Sequence, residues 1–151
     1  MRPSISPKQC FSGSYKCADD DTTFATDATV IRQYRPVKDS ASGDDYVTPL
    51  VAGDTAGVVT AGIAQNDAQL GESVEVVFCG VSLVKAYGAI TRQAALESVG
   101  TITGDSYGGV VAVVSGASGA NHQIIGVALE DAADGEEFLA LIIPHITITA
   151  G

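Results

Sequence analysis

The sequence predicts an all-β fold: a compact β-sandwich or barrel-like body made of two related β modules, with an extended N-terminal arm and at most one short helix. Three observations predict it. Residues 62–86 (GIAQNDAQLGESVEVVFCGVSLVKA) recur without a gap as residues 126–150 (GVALEDAADGEEFLALIIPHITITA), and seven aligned positions are identical: Gly62/Gly126, Ala64/Ala128, Asp67/Asp131, Ala68/Ala132, Gly71/Gly135, Glu72/Glu136 and Ala86/Ala150. Hydrophobic residues make up 46% of the chain but come mainly as Val, Ile, Ala and Leu, with no Trp and with 17 Gly that cut them into strand-sized runs. Only Ala89 to Val99 (AITRQAALESV) has tolerable helix propensity, and it reads as a short helix or as a strand with a bend. A chain of 151 residues has room for one ordinary domain or for two small units sharing a core, and the repeat favours the second.

In chain order, residues 1–28 are polar and turn-rich, with Pro3, Pro7, Gly13 and the run Asp19-Asp20-Asp21, and they follow neither the strand nor the helix period. Thr29 to Tyr34 is a first β-like run closed by Pro36, and Lys38 to Asp45 is a loop by composition. Residues 1–45 are therefore expected to form an extended arm, and residues 46–151 the body. In the body, Tyr46–Leu50 and Ala56–Ile63 read as strands, Asn66–Gly71 as a turn and Ser73–Val84 as a long strand. The second half answers with strands at Gly109–Val114 and Gln123–Leu129, a turn at Asp131–Gly135 and a final strand at Glu137–Thr149. Leu139 to Ile143 is apolar throughout, as expected of a strand covered on both faces. Pro144 interrupts this strand at the position that Gly80 holds in the first copy.

The formal charge of −10 argues against a nucleic-acid or anionic-membrane partner, since binding phosphates requires Lys and Arg. Residues 1–38 hold six basic side chains against four Asp, and residues 39–151 hold Lys85 and Arg92 against fourteen acids, so a mildly basic arm precedes a strongly acidic body. Three cysteines give no disulfide framework. Cys79 lies in an apolar run and is expected to be buried, whereas Cys10 and Cys17 read as free thiols or as a pair closing a short loop. The start of the chain has no apolar stretch of signal-peptide length, and no run is long enough for a membrane helix.

The repeated turn, Asp67-Ala68-Gln69-Leu70-Gly71-Glu72 and Asp131-Ala132-Ala133-Asp134-Gly135-Glu136, carries paired carboxylates. Turn chemistry accounts for them: Asp67 and Asp131 accept backbone N–H bonds, Gly71 and Gly135 take positive φ, and the Glu begins the next strand on its solvent side. The spacing does not reproduce a calcium loop. His122 and His145 lie at no ligand spacing from Cys or His and read as polar surface or strand-end residues. Ser118 sits in a degraded version of the nucleophile-elbow pattern, and no phosphate-binding glycine motif stands between a strand and a helix. No catalytic residue, metal site or cofactor is expected. The two long strands carry more apolar surface than so small a body readily hides, which fits either a two-sheet core or an exposed subunit contact.

The stretch Ile125-Gly126-Val127-Ala128-Leu129-Glu130-Asp131-Ala132-Ala133-Asp134-Gly135-Glu136, leading into the apolar strand at Glu137 to Ile143, resembles the capsid decoration, or cement, proteins of tailed bacteriophages. The resemblance covers roughly residues 46–150. It implies a non-enzymatic protein, made in the cytoplasm of the bacterial host, that adds to the outer surface of a phage head and clamps neighbouring major capsid subunits, as a homotrimer. The arm, with Arg2, Lys8, Lys16, Arg32, Arg35 and Lys38, would then contact the shell. A carbohydrate-binding or host-attachment module on a virion surface is the alternative, and such a site would gather several of Tyr15, Tyr34, Tyr46, Tyr87 and Tyr107 on one face.

Overall fold

The computed structural model describes residues 11–18, 29–51, 54, 60–100, 110–113 and 121–149. The described residues form eleven strands and no helix: β1 (Phe11–Cys17), β2 (Thr29–Ile31), β3 (Pro36–Asp39), β4 (Tyr46–Pro49), β5 (Gly62–Ala64), β6 (Ala68–Gln69), β7 (Ser73–Lys85), β8 (Ala95–Val99), β9 (Val110–Val113), β10 (Asn121–Ala128) and β11 (Glu137–Thr149). Nine of them make one sheet in the order β1-β4-β3-β5-β7-β11-β10-β8-β9, and β2 pairs with β6 apart from it. Because β1 also pairs with β7, the ladder β1-β4-β3-β5-β7 closes on itself as a five-stranded barrel, with one parallel contact, β1 to β4, among antiparallel ones.

β7 holds the molecule together because it belongs to two units. Its first half, Ser73 to Cys79, pairs with β1, and its second half, Gly80 to Lys85, pairs with β11. The handover falls at Gly80, whose φ of 126° suits glycine and not a residue with a side chain. Alternation along the strand then feeds two cores. Val74 and Val76 enter a first cluster with Cys17, Ile31, Val37 and Val47, while Val84 enters a second with Ile90, Leu96, Phe138 and Ala140. Each large side chain removed from water in this way stabilises the fold by roughly 1.5–3 kcal/mol.

The duplication runs deeper than the sequence repeat. Val37 faces Gly62 across β3 and β5 as Leu96 faces Gly126 across β8 and β10, and Tyr15 faces Val74 as Val84 faces Phe138. Tyr34 (φ 63°) donates its N–H to the Ala64 carbonyl at 2.8 Å, and Gln93 (φ 71°) donates to the Ala128 carbonyl at 2.8 Å. Ile31 pairs with Ala68, and Ile90 with Ala132. A Cβ on Gly62 would collide with the Val77 carbonyl oxygen, and one on Gly126 with the carbonyl oxygen of Leu141, the residue equivalent to Val77. The first module thus spans β1 to the first half of β7, and the second spans the second half of β7 to β11. The two are stitched together further by the Lys85 N–H, which donates to the Tyr34 carbonyl at 3.0 Å.

Two expectations need correcting, and of the two readings of Ala89–Val99 the strand with a bend is the one observed. Residues 11–18 and 29–45 are not a separate arm: β1, β2 and β3 are walls of the first module, with Cys17, Val30, Ile31 and Val37 in its core. The boundary expected at Tyr46 therefore falls inside a barrel. Within Ala89–Val99 the bend replaces the helix, because Gln93 turns with positive φ and Ala95–Val99 is then captured between β10 and β9. Finally, Leu139 to Ile143 is covered on one face only: Ala140 and Ile142 are buried, but Leu141 is exposed. The position of Pro144 does carry an irregularity, since the β10–β11 register jumps between Gly126↔Ile142 and Ile124↔Ile146.

Candidate functional site

The carboxylates of the repeated turn are occupied by backbone. Asp67 Oδ1 accepts the N–H of Gln33 at 2.8 Å, and Asp131 Oδ1 accepts the N–H of Arg92 at 2.7 Å. Glu72 Oε2 accepts from Gln69 N at 2.8 Å, and Glu136 Oε2 from Ala133 N at 2.9 Å. Gly71 and Gly135 turn the chain with φ of 81° and 77°. Each Asp therefore ties its turn to the bend of its own module, a structural task. Lys85, Glu130, Asp131, Glu136 and Glu137 also line an open depression near the second turn. No group of three or more His, Cys, Asp and Glu side chains is placed to hold a metal among the described residues.

Of the basic residues expected to grip a capsid, three of the four that are described lie within the fold. Arg32 Nη1 lies 3.3 Å from Asp67 Oδ2, Arg35 is buried, and Lys38 Nζ lies 2.9 Å from Asp54 Oδ2 in a largely buried pair. Lys16 is exposed on β1, with its Nζ 5.7 Å from the centroid of the Tyr46 ring. Arg2, Lys8 and Cys10 lie outside the described residues. Cys17 is buried, and Cys79 is only half-buried.

Sequence reasoning missed one buried polar pair. His122, expected at the surface, is buried, and its Nδ1 lies 2.5 Å from Glu97 Oε2. The pair joins β8 to β10, and Glu97 holds the position in β8 that Lys38 holds in β3. Ser98 is also buried, but it follows Glu97 in a strand and points to the opposite face, so these residues do not form a nucleophile–base–acid array. Of the tyrosines, Tyr15 packs against the first core and Tyr46 underlies Lys16, while Tyr87 stands exposed just past β7. Tyr107 lies outside the described residues.

The fold is similar to that of a phage head-fibre base. Superposition on the head fiber gp8.5 N base of bacteriophage phi29 gives a TM-score of 0.53 at 17% identity, covering 89% of this chain and 95% of that one. No protein-family model matches the chain, and neither does any curated protein. At this identity the likeness is one of architecture.

The surfaces remain as sites, and the two modules differ there. On the outer wall of the first module β1 and β7 present Ser12, Ser14 and Glu75, with the Ser12 hydroxyl donating to Glu75 Oε1 at 3.0 Å. The equivalent positions of the second module are Val81, Leu83 and Leu139, all only half-buried, and Leu141 and Leu129 beside them are 39% and 38% exposed. Between the modules lies a cavity of about 290 Å³ whose walls include Tyr15, Ile63, Phe78, Ile125 and Ile142, with Asp39 and Thr60 as its polar members.

Proposed function

We propose that this chain is a non-enzymatic structural protein of a phage virion that binds the outer surface of the capsid and stabilises it by clamping neighbouring major capsid subunits, as a homotrimer. The observation that carries this reading is the fold shared, over nearly the whole of both chains, with the head fiber gp8.5 N base of bacteriophage phi29. The resemblance of the second repeat to decoration proteins points the same way. So does the use of the repeated carboxylates, and of the Arg32 and Lys38 side chains, in holding turns and strands. The net charge of −10 keeps many copies apart until each meets its site. A modest contact made by many copies stabilises a shell by multivalency.

The test is sedimentation of the full-length protein with expanded heads of its own phage stripped of surface proteins. Saturable co-sedimentation at a fixed ratio to the major capsid protein, with a higher rupture temperature of the heads, is the expected result. Absence of binding to heads rejects the reading. The name of the similar protein, a head fiber, favours one second reading: attachment of the virion to its host. Saturable binding to host cells or their surface glycans, without any effect on head rupture, would select it.

A further inference from the structure

The rim of the first barrel carries a carboxylate that the fold does not use. Asp39 lies opposite Val47 across β3 and β4, so the two side chains share a face, and Val47 belongs to the first core. Asp39 is therefore on the inner side of the barrel, at its open end. There it lines the cavity between the modules together with Tyr15 and Ala61, which pack against that core, and with Phe78, which is 38% exposed. Ile125 and Ile142, 3% and 2% exposed, supply the wall on the side of the second module. Neither the Asp39 carboxylate nor the Tyr15 hydroxyl has a hydrogen bond or ion pair among the described residues. Lys38 cannot serve Asp39, because it points to the opposite face of β3, where its Nζ lies 2.9 Å from Asp54 Oδ2.

The duplicated scaffold closes the same place in the second module. Val84, Ser98 and Ile125 stand there at the positions of Tyr15, Asp39 and Ala61, and all three are buried. An open end with a charge and aromatic rings is thus a property of the first module and not a demand of the fold.

We propose that this cavity binds a primary ammonium group carried on an apolar stem, with Asp39 as its countercharge, Tyr15 and Phe78 as aromatic walls and Ile125 and Ile142 beside the stem. A carboxylate and aromatic rings both attract a cation, and a chain of charge −10 disfavours an anion in the same place. The volume of about 290 Å³ is about twice the ~150 Å³ that takes up benzene, so there is room for about ten non-hydrogen atoms. Such a group comes on a free aliphatic amine or on a lysine side chain of a partner protein, and its recognition is the same in both. The inference stands apart from the capsid reading, and its test uses the full-length protein alone.

The experiment is a titration of the full-length protein, with its isoleucine methyl groups labelled for NMR, with hexylamine, hexanol and hexanoate. Hexylammonium is expected to shift the methyls of Ile125 and Ile142 saturably and to leave those of Ile31, which does not line the cavity, in place. Hexanol should bind roughly tenfold more weakly and hexanoate not at all. Asp39→Asn should weaken hexylammonium roughly tenfold and leave hexanol unchanged, a difference that a merely structural role of Asp39 does not produce. Ala61→Ile, which installs the residue of the second module, should abolish binding of both; if that variant fails to fold, Asp39→Asn, at an exposed position, carries the test. No saturable shift overturns the proposal, as do equal affinities for hexylammonium and hexanol, or an Asp39→Asn variant that binds hexylammonium as well as the wild type. Displacement of hexylammonium by Nα-acetyl-lysine methylamide would assign the site to a lysine of a partner protein, and a failure to displace it would assign the site to a free amine.

Discussion

In the first module β1 meets β4 and the ladder closes into a barrel; in the second, the matching strands are the far half of β7 and β9, and no ladder joins them among the described residues. The two modules share registers, bends and turns down to single hydrogen bonds, yet they differ along the outward faces of their matching strands. Inner positions are tied to one another by packing, so Tyr15, Val74 and Val76 can change only to residues that fill the same space, here Val84, Phe138 and Ala140. Outer positions carry no such constraint, and there Ser and Glu in one module face Val and Leu in the other. The buried polar pairs differ too: Lys38 reaches Asp54, whereas Glu97, at the equivalent position, reaches His122. A duplicated scaffold thus keeps its interior and specialises its walls.

The comparison can be broken most severely at the cores. Phe138→Ala should cost about 3–5 kcal/mol in denaturant unfolding, and because β7 serves both modules, the loss should lower one shared transition. Two separate transitions would mean that the cores are independent. Next is Glu97→Ala, which leaves the buried Nδ1 of His122 without its hydrogen-bond partner and should cost about 1–3 kcal/mol. Lys38→Ala, in a less buried pair, should cost markedly less, and equal losses in the same assay would erase the distinction between the pairs. Gly126→Ala and Gly62→Ala should each cost about 1–3 kcal/mol, since each puts a Cβ against a strand carbonyl. A thermal melt unchanged by either would show that the close approach is not needed.

These glycines also mark what the sequence makes legible. Gly62/Gly126, Asp67/Asp131, Gly71/Gly135 and Glu72/Glu136 stayed identical because each meets a backbone demand that few residues satisfy, and so the repeat could be read from them. The strands before them could not be matched. FSGSYKC and GVSLVKA are the same strand of two modules, but their outward residues are polar in one and apolar in the other, and the loops between matching elements differ in length. The polar outer half of β1 is also why it read as an arm: its inward residues, Gly13, Tyr15 and Cys17, are few and unlike a standard apolar strand. At Ala89–Val99 a fair helix propensity lost to tertiary pairing of Leu96 with Gly126. The Glu97–His122 contact joins residues 25 positions apart across two strands, and no local pattern announces it.

A smaller effect sharpens the comparison of the turns. Asp67→Ala and Asp131→Ala each remove a carboxylate that accepts a backbone N–H from the bend of its module, and each should lower stability by about 1 kcal/mol. The Arg32 contact to Asp67 should add little to the first of these, because that pair is exposed. A difference in unfolding free energy between the two variants well beyond that would show that the turns are not equivalent.

The difference between the two outer walls is tested most directly by hydroxyl-radical footprinting of the full-length protein, read by mass spectrometry and corrected for intrinsic reactivity. Leu141, which is 39% exposed, should be labelled well above Val77, its counterpart in the first module, which is 4% exposed. Equal labelling of Leu141 and Val77 would contradict the account.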